Sequence, residues 1–203
     1  MEGLFIAWLE GFAVGLGMVL LVGPVFFTLL YSSLHYGFRA GASVAAGIAL
    51  SDLLVASLLL VFGLDNFFQK QFERSEVHMA AALLLIGLGV WYGLKKGDPP
   101  PEKTFTARRM GAFVLKGFSV NFINPFVFVA WISILGHGSL RLNGQGLTLY
   151  VAGALMGIFA TDLLKVAVAK QIRRFFSPEF LRWVYRVIAL LLISSGIAIL
   201  FVS

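Results

Sequence analysis

Two aspartates lie inside apolar stretches in nearly the same setting. Gly47-Ile48-Ala49-Leu50-Ser51-Asp52-Leu53-Leu54 matches Gly157-Ile158-Phe159-Ala160-Thr161-Asp162-Leu163-Leu164 at five of eight positions, and Ser51 and Thr161 share a hydroxyl. An acid at the centre of a membrane helix costs about 3 kcal/mol on insertion scales, so such residues usually line a wet cavity and handle substrates or protons. Asp162 has Lys165 three residues on, on the same helix face, as an ion-pair partner. Asp52 has no basic residue three or four positions away in either direction. Two prolines form a second matched set: Gly23-Pro24 and Asn124-Pro125. Proline inside a helix removes a backbone hydrogen bond and kinks or breaks it. In lipid the freed groups must be satisfied by protein or by water in a cavity. Helix breaks at corresponding places of two repeats point to a transport site. The half-helix after each proline offers N–H groups that favour a carboxylate. Gly23 permits close backbone approach, and Asn124 supplies an amide that donates and accepts. Asn121, three residues before Asn124, shares its helix face and can bond across helices or to a substrate.

The elements that carry these residues follow from composition. The chain has 203 residues, 59% hydrophobic and 13% charged, with a net charge of +6. Its mean hydropathy is +0.90. A soluble chain has roughly 25% charged residues; so few charges cannot wet a surface this apolar, which excludes a soluble enzyme and a nucleic-acid-binding domain. The absence of Cys removes disulfides and thiolate chemistry. His35, His78 and His137 are scattered and form no zinc cluster. No nucleotide loop or nucleophile–base set is present, so no cofactor is expected and energy coupling falls to an ion gradient.

A bilayer core needs roughly 20 apolar residues per helix. Six stretches qualify: residues 5–34, 41–63, 78–94, 112–135, 147–168 and 183–202. The fold expected is all-α, a polytopic membrane protein of six transmembrane helices built as two inverted three-helix repeats, with helices 1 and 4 broken at proline. Residues 1–96 form the first repeat, 97–111 a cytoplasmic Pro-rich linker around Pro99-Pro100-Pro101, and 112–203 the second. Ala82-Leu83-Leu84-Leu85-Ile86 and Ala189-Leu190-Leu191-Leu192-Ile193 match as well, with Gly89 and Gly196 in step. An odd number of spans per half turns the second copy upside down, an arrangement typical of secondary transporters. Alternate loops hold eleven Lys and Arg against three. The positive-inside rule then puts the first, third and fifth loops in the cytoplasm and both termini outside. Lys116 reads as snorkelling to the cytoplasmic interface. Trp8, Trp91 and Trp183 suit interfacial belts. Small-residue pairs such as Gly11/Gly15 and Gly153/Gly157 allow close helix approach and a homodimer.

Gly23-Pro24, Gly37-Phe38-Arg39-Ala40-Gly41, Gly47 and Asp52 together resemble the amino-terminal signature of the LysE/RhtB amino-acid exporters. Lys116-Gly117-Phe118, Asn121 and Asn124-Pro125 resemble the second-half signature. The resemblance implies a multi-pass exporter in a bacterial inner membrane, moving amino acids or related metabolites outward by proton exchange. Gly23, Pro24, Asp52, Asn124 and Pro125 are its candidate site residues. From the residues themselves, Asn121 and Asp162 join the substrate site, and Asp52 and Asp162 are the candidates for proton coupling. Many members carry Lys directly after Asn-Pro; here the residue is Phe126, which removes a cation beside the second break. A cation or metal exporter of the same three-plus-three plan and a non-transporting membrane scaffold are the alternatives.

Overall fold

The computed structural model describes residues 2–20, 23–62, 75–94, 110–172 and 178–202. Among them every regular element is helical. They are α1 (Glu2–Gly17), α2 (Pro24–Tyr36), α3 (Phe38–Phe62), α4 (Ser75–Gly93), α5 (Met110–Phe122), α6 (Pro125–Ser139), α7 (Gly144–Ala167) and α8 (Pro178–Val202). A 3-10 turn (Met18–Leu20) follows α1, and one further helical turn, Ala169–Ile172, follows α7. The linker expected over 97–111 falls almost wholly outside the described residues. So do Lys70, Arg74, Lys95, Lys96, Lys103, Arg108, Arg109, Arg173 and Arg174, which carry most of the orientation argument.

Phe38–Val61 and Gly144–Ala167 are each long and apolar enough to cross a membrane. Met110–Phe122 and Pro125–Ser139 reach that length only together, and they are bent by 70° at the break between them. Proline begins the helix after each break: Pro24 is the first residue of α2 and Pro125 the first of α6. At that position the missing N–H costs nothing, because no intrahelical bond would use it. Between α2 and α3 the chain reverses at Gly37, whose φ of 85° suits glycine and whose N–H bonds to the Ser33 carbonyl at 2.9 Å.

Contacts divide the chain into two compact units that cut across the sequence halves. The larger holds residues 1–64 and 102–171, and the smaller 65–101 and 172–203. The reason lies in how the helices pair. In the larger unit α1 packs on α7 and α3 on α5; in the smaller α4 packs on α8. Each pair joins one helix that ends before residue 97 to one that begins at or after residue 110.

Glycine makes each pairing intimate. A Cβ on Gly11 would overlap the Tyr150 carbonyl, and one on Gly15 the Ala154 carbonyl. In return Gly153 lies against the Trp8 carbonyl and Gly157 against that of Phe12. Four residues along α1 thus correspond to four along α7, so the two run parallel. The same reciprocity joins Gly47 to the Val114 carbonyl and Gly117 to the Val44 carbonyl, between α3 and α5. In the smaller unit Gly89 meets Ala189 and Ile193, while Gly196 meets Ala82 and Ile86. Backbones this close gain dispersion contacts that lipid tails cannot match.

One buried cluster ties four helices of the larger unit together: Leu29 of α2, Val44 and Ile48 of α3, Phe113 of α5 and Val166 of α7. Ser33 of α2 adds a hydrogen bond to the Val166 carbonyl at 2.8 Å. Lys116 lies with its ammonium 5.0 Å from the centre of the Tyr31 ring, a cation–π contact between α5 and α2. Glu10 of α1 pairs with Arg141, between α6 and α7, at 3.4 Å.

These packings predict a contrast between two glycines. Gly47→Ala should lower stability in detergent by about 1–3 kcal/mol, because its Cβ has no room against the Val114 backbone. Gly17→Ala should be neutral or slightly stabilising, since a Cβ there meets nothing within 4 Å. Thermal unfolding of the two variants side by side checks both.

Candidate functional site

Asp52 lies near the middle of α3 and is 4% exposed. Its neighbours in sequence are apolar apart from Ser51, so its hydrogen bonds must come from other helices. They come from both sides of the break in the α5–α6 pair. Asn121, near the end of α5, donates from Nδ2 to Asp52 Oδ1 at 2.9 Å. Trp131, in the middle of α6, donates from Nε1 to the same oxygen at 2.9 Å. Asn121 Nδ2 also reaches the Ile48 carbonyl at 3.4 Å. Asn121 is 2% exposed and Trp131 only 1%. Among the described residues no cation pairs with Asp52. The carboxylate is held by an amide and an indole alone, both on one oxygen.

The local reasons are legible in the chain. The close α3–α5 approach at Gly47 and Gly117 brings Asn121 within reach of Asp52. The 70° bend carries α6 back so that Trp131 meets the same oxygen from the other side of the break. The linear sequence does not single out Trp131. Its place near the end of the expected span 112–135 resembles that of an interfacial tryptophan, and only the bend turns it inward. Its one signal is chemical: an indole N–H within an apolar segment needs an acceptor.

Asp162 is arranged differently. It sits in α7, 3% exposed, and its Oδ1 accepts from Lys165 Nζ at 3.1 Å. The Lys165 ammonium lies 6.0 Å from the centre of the Phe26 ring, close to the start of α2. Asp162 Oδ2 is buried with no hydrogen-bond partner, as are the hydroxyls of Ser32 and Ser51. Asp52 and Asp162 lie within coulombic reach of one another. The structure therefore places both acids, Asn121 and Lys165 in the larger unit, on α3, α5 and α7.

The two proline breaks also differ. Asn124 caps α6: its Oδ1 accepts from the Phe126 N–H at 3.2 Å. Its amide oxygen thus serves the helix end. Gly23 has an extended backbone and no side chain to cap α2. A Cβ on Gly23 would meet nothing within 4 Å, so this glycine adjoins open space rather than a packed backbone. Pro24 is buried, whereas Pro125 is partly exposed. Among the described residues no three His, Asp or Glu side chains gather in a metal-binding group.

The sequence profile of the LysE type translocator family matches residues 16–203. A protein of Bacillus subtilis (strain 168) named "Putative amino acid efflux protein YcgF" is 24% identical over 190 residues, 86% of each chain. No solved structure matches the chain.

The geometry predicts that Trp131→Phe and Asn121→Leu each cost about 1.5–3 kcal/mol, the worth of a hydrogen bond to a charged group. Combining either with Asp52→Leu should give clearly less than the sum, since both changes remove one contact. Thermal unfolding of the two double-mutant cycles in detergent measures the coupling.

Proposed function

The chain belongs to the LysE type translocator family, whose profile covers residues 16–203, and from that premise we propose that it is a secondary active exporter of amino acids or related small metabolites. It is a membrane transporter and not an enzyme. The observation that carries the proposal is the Asp52 carboxylate, buried in mid-helix and held only by uncharged donors from both sides of a broken helix. A structural acid in lipid is normally neutralised by a cation, as Asp162 is by Lys165. Asp52 keeps its charge free to exchange one cation for another. A substrate ammonium and a proton can compete for it, and competition for one carboxylate is sufficient for antiport.

The carboxylate of the substrate belongs at the first break. The N-terminus of α2 has no side-chain cap and adjoins open space at Gly23. A helix N-terminus favours an anion. At the second break the Asn124 cap already occupies the Phe126 N–H. Gly23 and Pro24 thus bind substrate, Asp52 and Asn121 take its amino group, and Asn124 and Pro125 shape the bend. Asp162 has its charge met by Lys165.

The reciprocal pairings support six spans in two inverted repeats. An inverted repeat relates α1 with α5, α3 with α7 and α4 with α8, so α1 on α7 and α3 on α5 are the same contact made twice. Such a pair of equivalent contacts lets two similar arrangements interconvert, opening one site to either side in turn. The membrane is a bacterial inner membrane, with both termini outside and the proton gradient as the driving force.

Efflux from cells preloaded with dipeptides tests this reading. Cells expressing the chain should release one class of amino acid faster than controls. Asp52→Asn keeps an acceptor for Asn121 and Trp131 but cannot exchange a proton. At matched membrane levels it should slow that release roughly tenfold or more, the worth of one charge-assisted contact. Release that survives the substitution removes Asp52 from the mechanism.

A further inference from the structure

Lys165 is a primary ammonium on a four-carbon stem, 8% exposed, in the interior of the larger unit. It donates to one oxygen of Asp162, and that carboxylate's other oxygen is buried and unbonded. Lys165 thereby presents to Asp162 the group that a cationic amino acid carries at the end of its side chain. Resting on the export reading above, we propose that Lys165 is the specificity-determining residue of the carrier: it occupies Asp162 against cationic substrates and restricts the cargo to amino acids with a single ammonium group.

The charges decide this. A zwitterionic substrate needs one anion for its ammonium and one cationic region for its carboxylate. Asp52 supplies the first; the uncapped start of α2 supplies the second. A dibasic substrate brings another ammonium, which needs another carboxylate. Asp162 is within coulombic reach of Asp52 and is the acid available, but Lys165 already holds it at 3.1 Å. A tethered ammonium competes as though present at millimolar concentration or above, without the entropy loss of a free ligand. Displacing it would also leave a buried, unpaired Lys165, a heavy penalty in a low-dielectric interior. Occupying a site against the wrong ligand is as effective for selectivity as adding contacts for the right one.

The test compares wild type with Lys165→Met, which keeps length and apolar stem and removes the charge. Cells are preloaded with leucine-, threonine- and lysine-containing dipeptides, and release is followed at matched membrane levels. Wild type should release monoammonium amino acids and spare lysine. Lys165→Met should raise lysine release roughly tenfold or more, the discrimination of one charge-assisted contact. Lysine release by wild type at the same rate as the others, or no gain in a Lys165→Met protein that still exports monoammonium amino acids, overturns the inference and leaves the export reading standing. Silence of wild type toward every amino acid overturns both. Because Lys165→Met leaves Asp162 unpaired and can fold poorly, purified wild type gives a second readout. Its melting temperature should rise with the exported monoammonium amino acid and not with lysine; an equal rise with lysine overturns the inference.

Discussion

A carboxylate buried in an apolar helix must find its hydrogen bonds on other helices, and Asp52 takes them from both arms of a broken one. Much of the larger unit can be understood from that requirement. The α3 and α5 backbones touch at Gly47 and Gly117, which sets Asn121 beside Asp52. The chain then breaks and bends by 70°, which lets Trp131 reach the same oxygen from the far arm. Straightening the break would take the indole away and leave a buried N–H and a less-satisfied carboxylate together. Each such loss costs about 1–3 kcal/mol. The bend is thus coupled to the carboxylate it encloses.

The second acid shows the other solution to the same problem. Asp162 stands in the matching octapeptide, yet it is neutralised within its own helix by Lys165 three residues on. The two aspartates are alike in sequence and opposite in electrostatics. One carboxylate is held by neutral donors; the other is paired with a cation. The two octapeptides match, and side chains outside them give the two acids different partners. The breaks divide in the same way: Asn124 caps the second half-helix, while Gly23 leaves the first uncapped.

Much of this could be read from residue order. The repeated octapeptide marked both acids, the prolines marked both helix starts, and the i to i+3 spacing marked the Asp162–Lys165 pair. The small-residue pairs marked faces of close approach, though not that Gly11 and Gly15 would meet Tyr150 and Ala154 of the other half. Trp131 was hidden because its place in the linear span resembles an interface and the bend angle is not encoded in any short motif. The cap role of Asn124 was equally hidden: no short motif shows that its amide oxygen accepts from the Phe126 N–H. The division into units was hidden for a larger reason. Helices of each sequence half bury their faces against partners from the other half, so compactness follows the pairs and not the halves.

The central claim is that Asp52 pins the two arms of the broken helix. The chain contains no cysteine, so spin labels can be placed at Leu115→Cys on α5 and Leu140→Cys just beyond α6, both exposed positions. Electron–electron distance measurement in the folded protein should give one narrow distribution with Asp52 present. With Asp52→Leu in the same labelled background, the distribution should broaden or move by several ångströms as the arms come loose. Superimposable distributions from the two proteins would contradict the account, because the bend would then be held by packing and the carboxylate would be a passenger.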